Sequence, residues 1–211
     1  MYDQHVPRIN AAMRACPDTF ARGVMFAVLS ARTKFPSIKM QLQDLEQKKE
    51  KSSHLFSWKL GAYEYLQANK AHLWERTCNA PDTFTAMWEL TRIPGLGLVK
   101  AAFVLQFLGH DIACLDTRNV KREGRNPRAY ETRGTAGTNS NRKNSPAFRA
   151  LIHRYIAETS GRSLELWDAW CADVADTYLM SPKAVSAIHL VIVPKGFKGA
   201  LAPQVVREIP F

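Results

Sequence analysis

The chain has no apolar run approaching the roughly 18 residues that a membrane-spanning helix requires; His189–Pro194 (HLVIVP) is far too short. The N-terminal stretch MYDQHVPRINAAMRACPD lacks the apolar centre of a signal peptide. Cysteine is scarce: Cys16, Cys78, Cys114 and Cys171 are widely separated, and no pair has zinc-knuckle or iron–sulfur spacing. That argues against a disulfide framework and against a metal cluster. His54, His72, His110, His153 and His189 are scattered without metal-ligand spacing, so neither a metal nor a cofactor is expected. There is no P-loop, and GLG at Gly95–Gly97 lacks the preceding strand and third glycine of a dinucleotide fingerprint. Strand patterning is weak throughout. These absences leave an all-α, soluble, cytoplasmic protein, whose 211 residues make one large domain or two small lobes.

What the sequence has in excess is positive charge. Lys and Arg number 29 against 19 Asp and Glu, a net charge of +10. Such a balance favours polyanions, nucleic acid first; the alternative is a charged surface that only aids solubility. Much of the excess is concentrated. From Lys121 to Pro146, Lys121, Arg122, Arg125, Arg128, Arg133, Arg142 and Lys143 face only Glu123 and Glu131, amid Gly, Asn, Ser and Thr. That composition predicts a long basic surface loop over 121–146.

Elsewhere apolar residues recur at helical spacing. Asp18–Arg32 carries Phe20, Val24, Ala27, Val28 and Ala31 on one face, and Ile38, Leu42 and Leu45 repeat the pattern after a break at Phe35–Ser37. His54–Cys78 is aromatic-rich and predicts two short helices joined near Gly61 or Asn69. Pro81–Arg92 opens on Pro-Asp, a helix start; PDTF recurs at Pro17–Phe20, and both copies are read as helix starts. Beyond the loop, Ala147–Gly161 and Leu164–Met180 are helical, the second presenting Leu164, Trp167, Trp170, Cys171, Val174 and Tyr178 on one side. Pro182–Ile192 closes the fold. The expected divisions are a helical body over 1–120, the basic loop 121–146, a C-terminal helical part 147–195 and a tail 196–211.

Two local features carry chemistry. IPGLG at Ile93–Gly97, between a helix ending at Arg92 and another from about Leu98, predicts a helix–hairpin–helix over 82–109. Gly95 and Gly97 permit positive φ. The N–H groups and dipole of the second helix then suit a phosphate, with Lys100 as a nearby cation. An ordinary turn with a glycine cap uses the same residues. Asp116, in LDTRN, either stabilises charge at a site or caps a helix starting at Thr117.

Taken together, Ile93–Asn119 (IPGLGLVKAAFVLQFLGHDIACLDTRN) resembles the core of the helix–hairpin–helix DNA glycosylase superfamily. That family shows a Leu-Pro-Gly-Val-Gly hairpin, an Ala four residues on, an apolar helix, and Val-Asp-Thr-His with a catalytic Asp. Pro94, Gly95, Gly97, Ala101, Asp116 and Thr117 match. Upstream, FAVLSARTK at Phe26–Lys34 is similar to the family's LLSAQT helix end, and Arg32 stands where a polar side chain reaches toward the base stack. The resemblance covers Phe20 to Asn119. It implies a two-lobed helical enzyme, monomeric, acting on double-stranded DNA in a bacterial or phage-infected cell. In it Asp116 would stabilise the oxocarbenium-like sugar of a flipped nucleotide and orient or deprotonate a water. Gly95, Gly97 and Lys100 would anchor phosphate, Arg32 would plug the stack or hold a strand, and Arg118, Asn119, Lys121 and Arg122 would add DNA contacts.

The chain also departs from the family. Val99 occupies the position of the Schiff-base lysine of bifunctional members, and Lys100 lies about 100° further round the helix, which disfavours a lyase. The four-cysteine cluster of the iron–sulfur branch is absent, and the basic segment replaces a compact turn after Asn119. These departures resemble a second branch of the fold, bacteriophage thymidine-hypermodification proteins that act on pyrophosphorylated hydroxymethyl-uracil in DNA. They replace the pyrophosphate with an amine or amino acid as co-substrate, and the Arg118–Lys143 cations would suit such a leaving group. Trp167 or Trp170 could stack a flipped base, or simply fill the core. Three functions therefore stand open: a monofunctional N-glycosylase, a hypermodification transferase, and a catalytically silent DNA-binding module.

Overall fold

The computed structural model describes residues 2–47, 55–126, 128–130, 145–186 and 188–197, and all regular structure among them is helical. The elements are α1 (Tyr2–Ala15), α2 (Pro17–Leu29), a 3-10 turn (Phe35–Ser37), α3 (Ile38–Glu46), α4 (Ser57–Cys78), α5 (Thr83–Leu90) and α6 (Leu98–Phe107). They continue with α7 (Thr117–Arg122), α8 (Pro146–Thr159), α9 (Ser163–Thr177), α10 (Pro182–Ser186) and α11 (His189–Ile192). No helix among the described residues is long and apolar enough to cross a membrane.

Two helices are apolar on nearly every side and are buried accordingly. In α2 every residue from Val24 to Leu29 is buried, and the helix packs against α1, α3, α4 and α6. In α6 the run Ala101–Phe107 is buried, with Gln106 as its lone polar member. Each such Phe, Leu or Val contributes roughly 1.5–3 kcal/mol over its exposed state. Phe26, Phe103 and Phe107 meet at ring separations of 4.7–6.3 Å and fasten α2 to α6. One cluster of buried side chains continues from Val6 to Val193.

Helix starts follow the sequence. Asp82 caps α5 by accepting from the Thr85 N–H at 2.7 Å, and Pro17 opens α2 with Asp18 in its first turn. Two expectations are corrected, and one helix is added within the expected helical body. Ser57–Cys78 is one continuous helix, not two: the Asn69 side chain bonds back to the Tyr65 carbonyl at 2.8 Å, which keeps it in the helix, and Gly61 adds no turn. Leu164 is 46% exposed, and Leu166 takes the core position instead. Helix α1 was not anticipated. Val6, Ile9, Ala12 and Met13 have the necessary spacing and are buried, which outweighs Pro7 inside the helix. Arg133, Arg142 and Lys143 of the expected basic loop, and most of the tail, lie outside the described residues.

Candidate nucleic-acid interface and carboxylate site

Asp116 is placed by buried polar groups acting on the non-helical segment before it. A polar atom inside a core needs a partner, and three side chains find theirs here. Gln106 Oε1 accepts from the Cys114 N–H at 3.0 Å, while its Nε2 donates to the Ser163 carbonyl at 3.1 Å. The Tyr155 hydroxyl accepts from the Leu115 N–H at 2.8 Å and donates to the Ala113 carbonyl at 3.0 Å. Asn119 Nδ2 donates to the carbonyls of Cys114 and Leu166, at 2.8 and 3.2 Å. Burial drives the Tyr155 phenol well above its ordinary pKa. Burial likewise pushes the Cys114 thiol up to about 12. The sulfur two residues from Asp116 is thus a packed thiol and not a nucleophile.

Chain direction then turns at Asp116, the N-cap of α7. Its Oδ1 accepts from the N–H groups of Arg118 and Asn119, at 3.0 and 3.1 Å. Its Oδ2 accepts from the Trp170 indole at 2.9 Å and lies 3.8 Å from Arg118 Nη1. The side chain remains 13% exposed. Capping is therefore a structural role that Asp116 does fill, and it fixes the carboxylate's direction. Trp170 packs against Phe35, Phe103 and Trp167 at 5.2–6.1 Å, and both indoles are buried. Neither offers an open face on which to stack a base.

The turn between α5 and α6 is closed by Leu96 N–H to the Ile93 carbonyl at 3.1 Å, with Ile93, Leu96 and Leu98 buried beneath it. Gly95 has φ +75°, and a Cβ there would sit 2.7 Å from Trp58 Cε3. Gly97 differs from expectation: at φ −86° and ψ 177° it is extended backbone that any residue adopts. It serves as the N-cap of α6 and has no side chain to cap with. The N–H groups of Leu98 and Val99 consequently have no capping acceptor among the described residues.

Lys100 does not point outward as a phosphate anchor. Its ammonium donates to Ser30 Oγ at 2.7 Å and lies 5.4 Å from the centre of the Phe103 ring, so it ties α6 to the end of α2. Two other expected DNA contacts are also engaged within the chain. Asn119 is buried, as described above, and Arg122 donates to Asn119 Oδ1 at 2.6 Å, to the Ala169 carbonyl and to Asp173. Arg125 is paired with Glu123 and Glu158, and Arg162 pairs with Glu123 at 2.5 Å. Arg122 and Arg125 at the near end of the basic segment are thus ion-paired within the chain. Lys121 remains exposed and Arg118 half-buried.

Arg32 is exposed, in the left-handed region at φ +54°. It borders a cleft of about 190 Å3 together with Lys34 and Lys59. Asp116 does not line that cleft. Lys59, Gln106 and Tyr155 had not been singled out from the sequence, and Trp170 had been read only as a ring. A glutamine inside an otherwise apolar helix was the available signal for the first group; nothing local marked the indole N–H as a donor to Asp116. Among the described residues no three His, Cys, Asp or Glu side chains converge to hold a metal ion. No protein-family model, curated protein or solved structure matches the chain.

Proposed function

We propose that the protein is a DNA-binding enzyme of the helix–hairpin–helix glycosylase type that acts on a base flipped from the duplex, excising it by a monofunctional route. The observation that carries this reading is the fixed attitude of Asp116. Two α7 N–H groups and the Trp170 indole hold it, and a fraction of its surface stays open. A preorganised carboxylate suits the positive charge that develops on the sugar as the N-glycosidic bond breaks. The electron pair of the N-glycosidic bond leaves with the base, a water that Asp116 orients adds to the sugar carbon, and the proton this water loses passes by way of Asp116 to the departed base. The uncapped N–H groups of Leu98 and Val99 and the net charge of +10 supply the affinity for backbone phosphate.

A Schiff-base route gains no support: position 99 is a valine, and the Lys100 ammonium is engaged with Ser30. The hypermodification transferase loses Arg122 and Arg125 as leaving-group cations, since both are ion-paired within the chain. The deciding experiment incubates the protein with duplexes carrying damaged or hydroxymethylated pyrimidines, with and without an amine donor, and analyses nucleosides by mass spectrometry. Abasic sites that disappear with Asp116→Asn, while duplex binding persists, are the expected result. A heavier thymidine would assign the transferase. Unchanged nucleosides despite salt-sensitive binding would reduce the protein to a binding module.

A further inference from the structure

The cleft beside Arg32 is lined by three cations and no acid. Arg32, Lys34 and Lys59 are its cations, Thr33, Ser37 and Gln41 its neutral polar groups, and Leu55 and Phe56 its apolar side; no lining residue is acidic. Lys59 is only 1% exposed. Its ammonium donates to the Leu29 carbonyl at 3.1 Å and to Thr33 Oγ1 at 2.6 Å, two of the three bonds an ammonium can give. No carboxylate pairs with it among the described residues. Its electrostatic neighbour is instead a like charge: burial first, and then Lys100, bring its pKa down to about 8. A buried cation without a counter-charge is costly, and a bound anion relieves that cost.

Capping the carbonyl end of α2 accounts for Lys59 by itself. It does not account for two more cations at the mouth. Lys34 lies two residues after Arg32, and Arg32 is held in the left-handed backbone region that L-residues disfavour. Neither has a carboxylate partner among the described residues. The apolar side of the cleft connects to the α5–α6 turn through two rings. Phe56 stacks on Trp58 at 6.4 Å and 17°, and Trp58 lies directly against Gly95.

The geometry points to an anion-binding site for a phosphate or diphosphate group, with Lys59 at its base, Arg32 and Lys34 at its mouth, and the Ser37 hydroxyl and Gln41 amide as neutral donors, while Thr33 Oγ1 accepts from Lys59 and donates to Gln41 Oε1. At about 190 Å3 it is smaller than the roughly 300–1,000 Å3 of sites that enclose whole small molecules, so it takes the phosphate group and not an entire nucleotide. This assignment does not rest on base excision, because a free phosphate and a nucleic-acid phosphate present the same chemistry.

Calorimetric titration of the full chain with inorganic phosphate and with pyrophosphate tests it. One saturable site is expected, of roughly millimolar affinity or tighter. The double variant Arg32→Gly/Lys34→Gln should weaken it at least about tenfold. Glycine suits the backbone at φ +54°, so this variant keeps the fold while removing both charges. Lys59→Met should weaken it further but also removes an α2 cap, so the double variant carries the test. No saturable binding of either anion, or unchanged affinity in the double variant, overturns the assignment. A short duplex then separates the two sources. Displacement of pyrophosphate by the duplex identifies a backbone-phosphate contact, and simultaneous binding identifies a site for a free or base-linked phosphate; both outcomes require the site.

Discussion

The Trp170 indole N–H reaches Asp116 Oδ2 across 2.9 Å, joining the middle of α9 to the residue that opens α7. Trp170→Phe keeps an aromatic ring against Phe35, Phe103 and Trp167 but removes this donor. A hydrogen bond to a charged group is worth roughly 1.5–3 kcal/mol, less what the vacated space returns to solvent. A loss of about 1–2 kcal/mol in urea unfolding is expected. Under the proposed function, base excision should slow by about tenfold or more with duplex affinity unchanged. An unaltered rate would mean that the indole does not orient the reacting carboxylate.

Asp116 itself separates capping from chemistry. In Asp116→Asn the single amide oxygen can serve the α7 N–H groups or the Trp170 indole, not both, and about 1 kcal/mol should be lost. Asp116→Ala loses the cap as well, for about 2–3 kcal/mol in total. Chemical denaturation of the two variants measures this order. Equal stability of Asn and Ala variants would remove the capping role inferred from the Oδ1 contacts.

The two hairpin glycines should respond unequally. Gly95→Ala faces both the cost of φ +75° and a Cβ placed 2.7 Å from the Trp58 ring. Strain and overpacking together should cost about 2–4 kcal/mol. Gly97→Ala meets no backbone penalty at φ −86° and should cost no more than about 1 kcal/mol through its N-cap position. Thermal melts of the pair decide it, and comparable losses would contradict the extended geometry at Gly97.

Leu179 is 95% exposed with φ +51°, just past the end of α9. The Met180 N–H bonds back to the Ala175 carbonyl at 2.8 Å, a helix-closing turn in which glycine is the favoured residue. Leu179→Gly gives up no packing and relieves the backbone, so stability should rise by about 0.5–1 kcal/mol. A lower melting temperature would show that this leucine is held by contacts after all.

Burial first, with repulsion from Arg14, holds the His110 imidazole down at about 4. Nδ1 lies 3.1 Å from Thr83 Oγ1, and Nε2 is buried without a partner among the described residues. An unfolded chain takes up that proton near pH 6.5. Between about pH 6.5 and 4 the unfolded state therefore binds a proton that the folded state refuses. Stability is intact above 6.5 and falls as pH drops, by about 2 kcal/mol at pH 5. Urea midpoints at pH 7 and pH 5 should show this loss, and His110→Leu should abolish that share of it. Identical pH dependence in the variant would place the titration elsewhere.

Much of the local structure could be read in order along the chain. The starts of α2 and α5 follow their Pro-Asp signals, and the apolar run after Gly97 becomes α6. The capping option for Asp116 was legible because an Asp before Thr-Arg-Asn is a helix start wherever it occurs. Where the reading failed, a tertiary contact had overruled a local signal. Gly61 and Asn69 suggested a break in α4, but a long helix lying against α2 buries Ala62, Leu66 and Leu73, more than the weak residues cost.

The site divides along the same line. The starts of α2, α5 and α6, the left-handed glycine at 95 and the capping position of the acid at 116 come from interactions spanning a few residues, so the sequence by itself determined them. The destinations of the long side chains do not. Lys59 meets Leu29 across 30 positions, Trp170 meets Asp116 across 54, and Lys100 meets Ser30 across 70. A flexible stem of several rotatable bonds has no preferred partner until packing brings one within about 3 Å and removes competing water. Only the tertiary structure could decide that Lys100 turns inward, and that a lysine unremarked in the sequence stands at the base of a cleft of cations.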